Sequence, residues 1–166
     1  MLDYADISTE RLILRKPVEG DLQTLFDIHG DPATNVYNPA GPHTSVKESK
    51  TMLKTWLDIW QRHGFGYWSV VLKSEPQTLL GFGGVSLKDN GGEPYLNLYF
   101  RFSPKVWGRG YASETARAAL EHGCELGYSE IIASVRPDNA PSIRVLERLG
   151  LTYFSTIKDK HGDSYL

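Results

Sequence analysis

Residues Arg11 to Lys16 alternate apolar and polar side chains, the period of a strand with one buried face. The period then changes. Leu22, Leu25, Phe26 and Ile28 fall at helical spacing within Asp21–His29, and Gly30-Asp31-Pro32 stops the predicted helix. Asn38-Pro39-Ala40-Gly41-Pro42 reads as a loop. A second helix runs from a Thr44 or Ser45 cap to about Arg62, with an apolar stripe at Met52, Leu53, Trp56, Leu57 and Trp60. The stripe reads first as core packing, and in part as the wall of a ligand pocket.

Tyr67–Lys73 and Leu79–Lys88 predict a strand pair around Ser74-Glu75-Pro76-Gln77. Gly81, Gly83 and Gly84 inside the second strand predict a bulge or a close backbone approach. Asp89-Asn90-Gly91-Gly92 is a turn signal leading into a strand over Tyr95–Phe102. The next helix starts near Ala112 and continues through Leu126. Ile131–Val135 is a short β-branched run, hence a buried strand. Asn139 is a capping residue type and Pro141 suits a first helical turn. Ile143, Leu146 and Leu149 then share a face, and Gly150-Leu151 predicts a Schellman C-terminus. Thr152–Tyr165 carries a turn at Lys160-His161-Gly162-Asp163. The order β-α-α-β-β-β-α-β-α-β is that of a mixed α/β sheet flanked by helices, one domain over residues 1–166.

The chemistry lies between strand Tyr95–Phe102 and the helix after it. Ser103 to Ser113 is a short loop with Gly108 and Gly110 one residue apart. Glycine permits a sharp turn and close approach to a ligand. A helix N-terminus adds unpaired N–H groups and the positive end of the dipole, so the combination suits a phosphate or pyrophosphate. It is not a P-loop, because no Lys-Ser or Lys-Thr follows a glycine pair. It is not a dinucleotide fingerprint either. Ser113 stands where the third glycine belongs, and no acid-ended strand follows at the usual distance.

Lys105-Val106-Trp107-Gly108-Arg109-Gly110 resembles the pyrophosphate loop of the GNAT N-acetyltransferase superfamily. Asn139 to Leu151, ending in Arg148-Leu149-Gly150-Leu151, is similar to the segment beside the pantetheine arm in that superfamily. Ile7-Ser8-Thr9-Glu10-Arg11-Leu12-Ile13-Leu14-Arg15 and His63-Gly64-Phe65-Gly66-Tyr67-Trp68-Ser69-Val70 narrow the resemblance to the branch that acetylates ribosomal-protein N-termini. The resemblance spans Ile7 to about Tyr153, and four segments in one order are more specific than any of them singly.

The resemblance implies acetyl-CoA as donor, an amine as acceptor and direct attack by that amine. The pyrophosphate would rest on backbone N–H groups of Gly108, Arg109, Gly110, Tyr111, Ala112 and Ser113, with charge from Lys105 and Arg109. Pantetheine would run along backbone groups near Phe100, Arg101 and Phe102. One of those N–H groups would polarise the thioester carbonyl. Asn139 would bond the pantetheine arm, and Ser142 would reach the sulfur. Many relatives place a tyrosine acid where this chain has Leu146, which cannot donate a proton. The branch often has an acid where this chain has Asn97, which cannot accept one at neutral pH. Asn97 and Tyr99 are the catalytic candidates of that strand, with Tyr95 as further pocket lining and no base named. Relatives close their sheet with a strand or hairpin where this sequence stops, which implies a short or trimmed C-terminus.

Composition alters little. The 166 residues carry a net charge of −2, which argues against a nucleic-acid partner. The one cysteine, Cys124, forms no internal disulfide or Cys-based zinc cluster and is expected as a small core residue. The five histidines are scattered; a surface position is expected for each, and no metal. Met1 to Glu10 has three acidic residues and no apolar run, so neither leader nor membrane partner is expected and the cytoplasm is the default. Dimers are common among such enzymes, so a homodimer is an expectation. The competing reading is a CoA-binding sensor or regulatory protein with little catalysis, favoured by Leu146 and Asn97. The acceptor pocket would form from the Asp31–Thr44 loop, the Trp56/Trp60 helix and the last segment, with Tyr37 and Tyr99 among its walls.

Overall fold

The computed structural model describes residues 6–89 and 92–166. Six strands form one sheet in chain order: β1 (Ile7–Ser8), β2 (Leu12–Arg15), β3 (Trp68–Leu72), β4 (Leu79–Lys88), β5 (Tyr95–Phe102) and β6 (Ile131–Ile132). Neighbours are antiparallel except β5 and β6, which are parallel. Helices α1 (Leu22–His29) and α2 (Val46–His63) pack on one face, and α3 (Tyr111–Glu125) on the other with α4 (Ala140–Arg148) beside it. The hairpin β7 (Thr156–Asp159) and β8 (Gly162–Tyr165) follows. Two strands therefore exceed the expected order: the short β1, and a closing hairpin in place of a single strand.

The helix signals act as their chemistry requires. Glu48 reaches back to accept from the N–H groups of Thr44 and Ser45, at 2.6 and 3.0 Å, satisfying donors at the start of α2. Gly64 ends that helix at φ 79°. At the end of α4, Gly150 N–H donates to Glu147 O and Leu151 N–H to Leu146 O, the two bonds of a Schellman motif.

The glycines of β4 do both things expected of them. Val70 faces Gly81 while Val71 faces Leu79, so Leu80 is the extra residue of a bulge. A Cβ on Gly83 would lie 2.9 Å from the Thr115 methyl of α3, and one on Gly81 2.5 Å from Arg101 O. Small residues here let α3 and β5 approach the strand. Beneath them Trp68, Phe82 and Leu96 are fully buried, and truncating such side chains costs about 2–5 kcal/mol each. Asp21 is also buried, but both its oxygens accept from Arg15, at 2.7 and 2.8 Å, and one also from Ser69 at 2.6 Å. Burial pushes its pKa up, and these bonds hold it below the usual value.

Three expectations change. The strand predicted over Ile131–Val135 stops at Ile132, and Val135 instead bridges to Tyr165 of the hairpin. Cys124 is exposed; the tight position of α3 is Gly123, where a Cβ would meet Ile131 Cδ1 at 2.5 Å. His29 is 2% exposed, not a surface residue. Asn90 and Gly91, the centre of the expected turn before β5, lie outside the described residues.

Candidate active site

Between β5 and α3 the chain makes one turn of 3-10 helix, Pro104–Val106, and then passes through Gly108 at φ 75° and Gly110 at φ 80°. Left-handed backbone of this kind favours glycine. The first backbone bond of α3 runs from Glu114 N–H to Gly110 O, so the N–H groups of Tyr111, Ala112 and Ser113 lack helical partners. A Cβ on Gly108 would meet nothing within 4 Å, which leaves that side of the loop open. Trp107 Nε1 donates to Phe102 O at 2.9 Å and fixes the loop to the strand end. Lys105 and Arg109 are exposed, with no ion pair among the described residues.

The β1–β2 turn braces this loop from behind. Glu114 accepts from Thr9 Oγ1 at 2.6 Å, Arg11 N–H at 2.8 Å and Arg11 Nε at 2.7 Å. Arg11 also donates to Arg109 O at 2.9 Å and stacks on the Tyr111 ring at 4.6 Å. Burial raises the Glu114 pKa, but these donors and the Arg11 charge hold it below the ordinary value. A carboxylate in the first turn of α3 is thus neutralised by protein rather than left to repel an anion at the helix end.

The second feature is a gap. β5 and β6 pair only at Leu96–Ile131 and Asn97–Ile132, after which the strands part. Ser103 N–H donates to Leu80 O of β4 at 2.9 Å, so the backbones of Arg101 and Tyr99, two and four residues earlier, face β4 as well, opposite Phe82 and Gly84. By strand alternation the backbone of Leu98, Phe100 and Phe102 faces the other way, toward the gap, although the Leu98 carbonyl accepts from Asn97 Nδ2 at 3.3 Å and the Phe102 carbonyl from Trp107 Nε1. This corrects one assignment: Phe100 and Phe102 offer backbone to the gap, whereas the backbone of Arg101 is turned to β4.

Side chains of β5 divide in the same way. Leu96, Leu98, Phe100 and Phe102 pack in the core with α3. Asn97, Tyr99 and Arg101 project toward α1 and α2, where each is held. Asn97 Nδ2 donates to Tyr67 Oη at 2.7 Å. Tyr99 Oη lies 2.8 Å from His29 Nε2. Arg101 Nη1 donates to Asn35 Oδ1 at 3.2 Å. His29 Nδ1 is 3.1 Å from Leu25 O, which only accepts, so Nδ1 carries the proton and Nε2 accepts from Tyr99. Burial, then the Arg101 charge, pushes the His29 pKa down to about 3, and burial pushes that of Tyr99 up to about 12. At neutral pH both groups are therefore uncharged. His43 stacks on His29 with centroids 5.2 Å apart, and Trp56 closes on Tyr99 at 5.9 Å.

On α4, Asn139 Oδ1 accepts from Ser142 N–H at 3.3 Å, so the capping role holds. Leu146 is 8% exposed and belongs to the core. The structure thus gathers Asn97 and Tyr99 on one face of β5, Gly108 to Ser113 at its end, and Asn139 with Ser142 on the helix beyond β6. Sequence reasoning missed His29, Tyr67, Asn35 and the Arg101 side chain as parts of the site. Tyr67 and Arg101 stand in segments the resemblance covers, but nothing there marks their side chains; His29 and Asn35 come from segments without a motif, and a histidine on the apolar face of α1 is a signal shared by many core histidines.

Comparison with known proteins agrees with this geometry. The family profile described as "Acetyltransferase (GNAT) domain" matches residues 11–152. The chain is 31% identical over 155 residues to the uncharacterized protein YkkB of Bacillus subtilis, covering 90% of this chain and 87% of that protein. Among solved structures it superposes on a GNAT-family acetyltransferase from Bacillus anthracis with a TM-score of 0.79 at 28% identity, covering 97% and 95% of the two chains. It also shares the fold of RimL, the ribosomal L7/L12 alpha-N-protein acetyltransferase, solved in complex with coenzyme A (TM-score 0.75, 18% identity, 97% and 95% covered).

Proposed function

That the chain belongs to the GNAT acetyltransferase family is the premise from which we propose its function in detail: it binds acetyl-CoA in the gap between β5 and β6 and transfers the acetyl group directly to a primary amine on a protein N-terminus or a small molecule. The observation that carries this reading is the parting of β5 from β6 immediately beside a left-handed glycine loop. One gives an unpaired strand edge for an amide-bearing arm; the other gives free N–H groups for a pyrophosphate. The residues present fit the donor. N–H groups of Gly108 to Ser113 hold its phosphates, the backbone of Phe100 and the N–H of Phe102 line its arm, and the Asn139 amide at the start of α4 bonds that arm. With one such backbone N–H aimed at the thioester oxygen, negative charge developing there is stabilised.

Balance is simple. The amine nitrogen loses a proton to water and forms the new C–N bond, the C–S bond breaks, and the thiolate takes up a proton. The face around Tyr99 offers neutral groups and the Arg101 cation but no base, so water removes the amine proton and only the neutral amine reacts. Leu146 donates nothing, which leaves the Ser142 hydroxyl as the donor of α4 to the sulfur. Acetylation in the cytoplasm, and a homodimer, belong to the same reading. Among the described residues no helix is long and apolar enough to cross a membrane.

Calorimetric titration with acetyl-CoA, then CoA, tests the reading on the wild type and on Gly108→Trp. Micromolar binding lost in the variant is expected, followed by turnover with an amine panel. Absence of binding to either ligand would sink the proposal. Binding with no turnover of any amine would favour a sensor.

A further inference from the structure

The β5 face contains a cation that has no counter-charge among the described residues. Arg101 Nη1 donates to Asn35 Oδ1, a neutral amide. That amide is itself fixed: Asn35 Nδ2 donates to His29 O and to Asp31 O, each at 2.8 Å, and Asn38 Nδ2 donates to Asn35 Oδ1 at 2.8 Å. No carboxylate lies within salt-bridge distance of Arg101 among the described residues. The carboxylates of the neighbouring segments are committed elsewhere. Asp31 caps its own turn by accepting from Ala33 N–H at 2.8 Å, Glu48 caps α2, and Asp21 is paired with Arg15.

The remaining neighbours are neutral. His29 donates through Nδ1 and accepts through Nε2, so a second proton on Nε2 would require the Tyr99 hydroxyl to turn from donor to acceptor. His43 is also biased toward its neutral form, first by burial, with Arg101 acting in the same direction against Glu48. Tyr99 is a protonated phenol. The guanidinium is half-buried, and it carries five N–H donors of which one has a partner here. A half-buried charge without a counter-charge is costly unless a ligand supplies one.

We propose that Arg101 receives a carboxylate of the acceptor, so that the amine acetylated belongs to a molecule bearing a carboxylate within a few bonds of its amine: a free α-amino acid, or an N-terminal residue with an acidic side chain. This rests on the proposed acetyl transfer and names the acceptor class of that same site. The planar fork of arginine matches a carboxylate with two parallel bonds. Residues 99 and 101 share a face and stand about 7 Å apart along the strand, so the acceptor's two groups are near each other. Among the described residues a polyamine finds no anionic partner beside Arg101 on this face.

The test uses the full chain and a thiol-release assay. Acceptors are free α-amino acids, their amides, short peptides beginning with Asp or Asn, and spermidine. A carboxylate acceptor preferred over its amide by tenfold or more in kcat/KM is expected. Amino acids leading supports the first source, and Asp peptides leading over Asn peptides the second. Arg101→Met should abolish the preference through acceptor KM, with acetyl-CoA affinity unchanged, and Arg101→Lys should restore part of it. Equal rates for acid and amide, or preference for spermidine, would overturn the proposal on wild-type protein alone. An Arg101→Met variant that weakens acetyl-CoA binding instead would overturn it by assigning the cation to the donor. Loss of acetyl-CoA binding in the wild type would instead overturn the underlying acetyl-transfer reading.

Discussion

The end of β5 and the side-chain face before it are built in different ways. The strand's C-terminal end runs into a loop whose chemistry is backbone: two left-handed glycines and three helix N–H groups without helical partners. Ahead of that loop the strand presents side chains on one face, each held by a partner from a distant segment: Tyr67 on Asn97, His29 on Tyr99, Asn35 on Arg101. A backbone site needs glycine at particular positions and little else. A side-chain site needs the fold to bring separate segments together. The first therefore tolerates changes around it and fails at one or two positions, while the second should change its preference before it loses activity.

The sharpest way to break that contrast is Gly110→Val. A β-branched residue at φ 80° costs about 1–2 kcal/mol in backbone strain alone and turns the loop N–H groups off target. Acetyl-CoA affinity should fall by about tenfold or more by calorimetry. Acceptor preference among the surviving turnover should not move. A shift in acceptor preference would show that the two sites are not separate.

Next comes the buried pair. His29 is neutral in the fold and has its pKa depressed to about 3, so between that value and its ordinary 6.5 the unfolded chain binds the proton and the folded chain does not. Stability contributed by neutral His29 is therefore complete above 6.5 and is lost as pH falls, by at most about 1.4 kcal/mol per unit. The groups facing it are His43, Tyr99 and Arg101, none of them anionic. Urea midpoints at pH 7 and pH 5 should fall more steeply for the wild type than for His29→Phe. Parallel falls would assign the acid sensitivity to other groups.

The brace behind the loop is a smaller effect. Arg11→Ala removes the donor to Arg109 O and leaves Glu114 facing the helix end, and donor affinity should weaken by about 1 kcal/mol. Adding Glu114→Gln should restore part of that, because the unpaired charge goes with it. A cycle with no coupling would mean that Arg11 acts only by packing on Tyr111.

These differences explain what was legible in the sequence. Helix and strand bounds came close wherever a stop signal was local, as with Gly64, Gly150 and the strand Tyr95–Phe102. The left-handed glycine loop after β5 was legible because glycine spacing is itself the signal, and its part in holding a pyrophosphate belongs to the proposal. Strand β6 was overextended because nothing in Ile131–Val135 says that its partner diverges; that is decided by the hairpin that takes Val135. His29 was misplaced because burial of a polar ring depends on Leu25 O and Tyr99 both being present, one turn and seventy residues away. Cys124 and Gly123 are adjacent in sequence, and only the packing of Ile131 shows which of them faces the sheet.

The smallest expected effect is at Ser142. Ser142→Ala keeps the backbone N–H that Asn139 Oδ1 accepts, so the cap and α4 should be untouched. What is lost is the hydroxyl alone. If it protonates the departing thiolate, kcat should fall while both KM values hold, and the loss should be larger as pH rises and hydronium becomes scarce. Because water can substitute, the fall should stay within about tenfold, well below the roughly 10²–10⁴ of an indispensable acid. Asn139→Ala should behave in the opposite way, costing about 1 kcal/mol of stability through the lost cap and raising the KM for acetyl-CoA. An unchanged kcat in Ser142→Ala at every pH would remove the serine from the chemistry and leave proton delivery to solvent, placing the last step beside a backbone site with no side chain taking part.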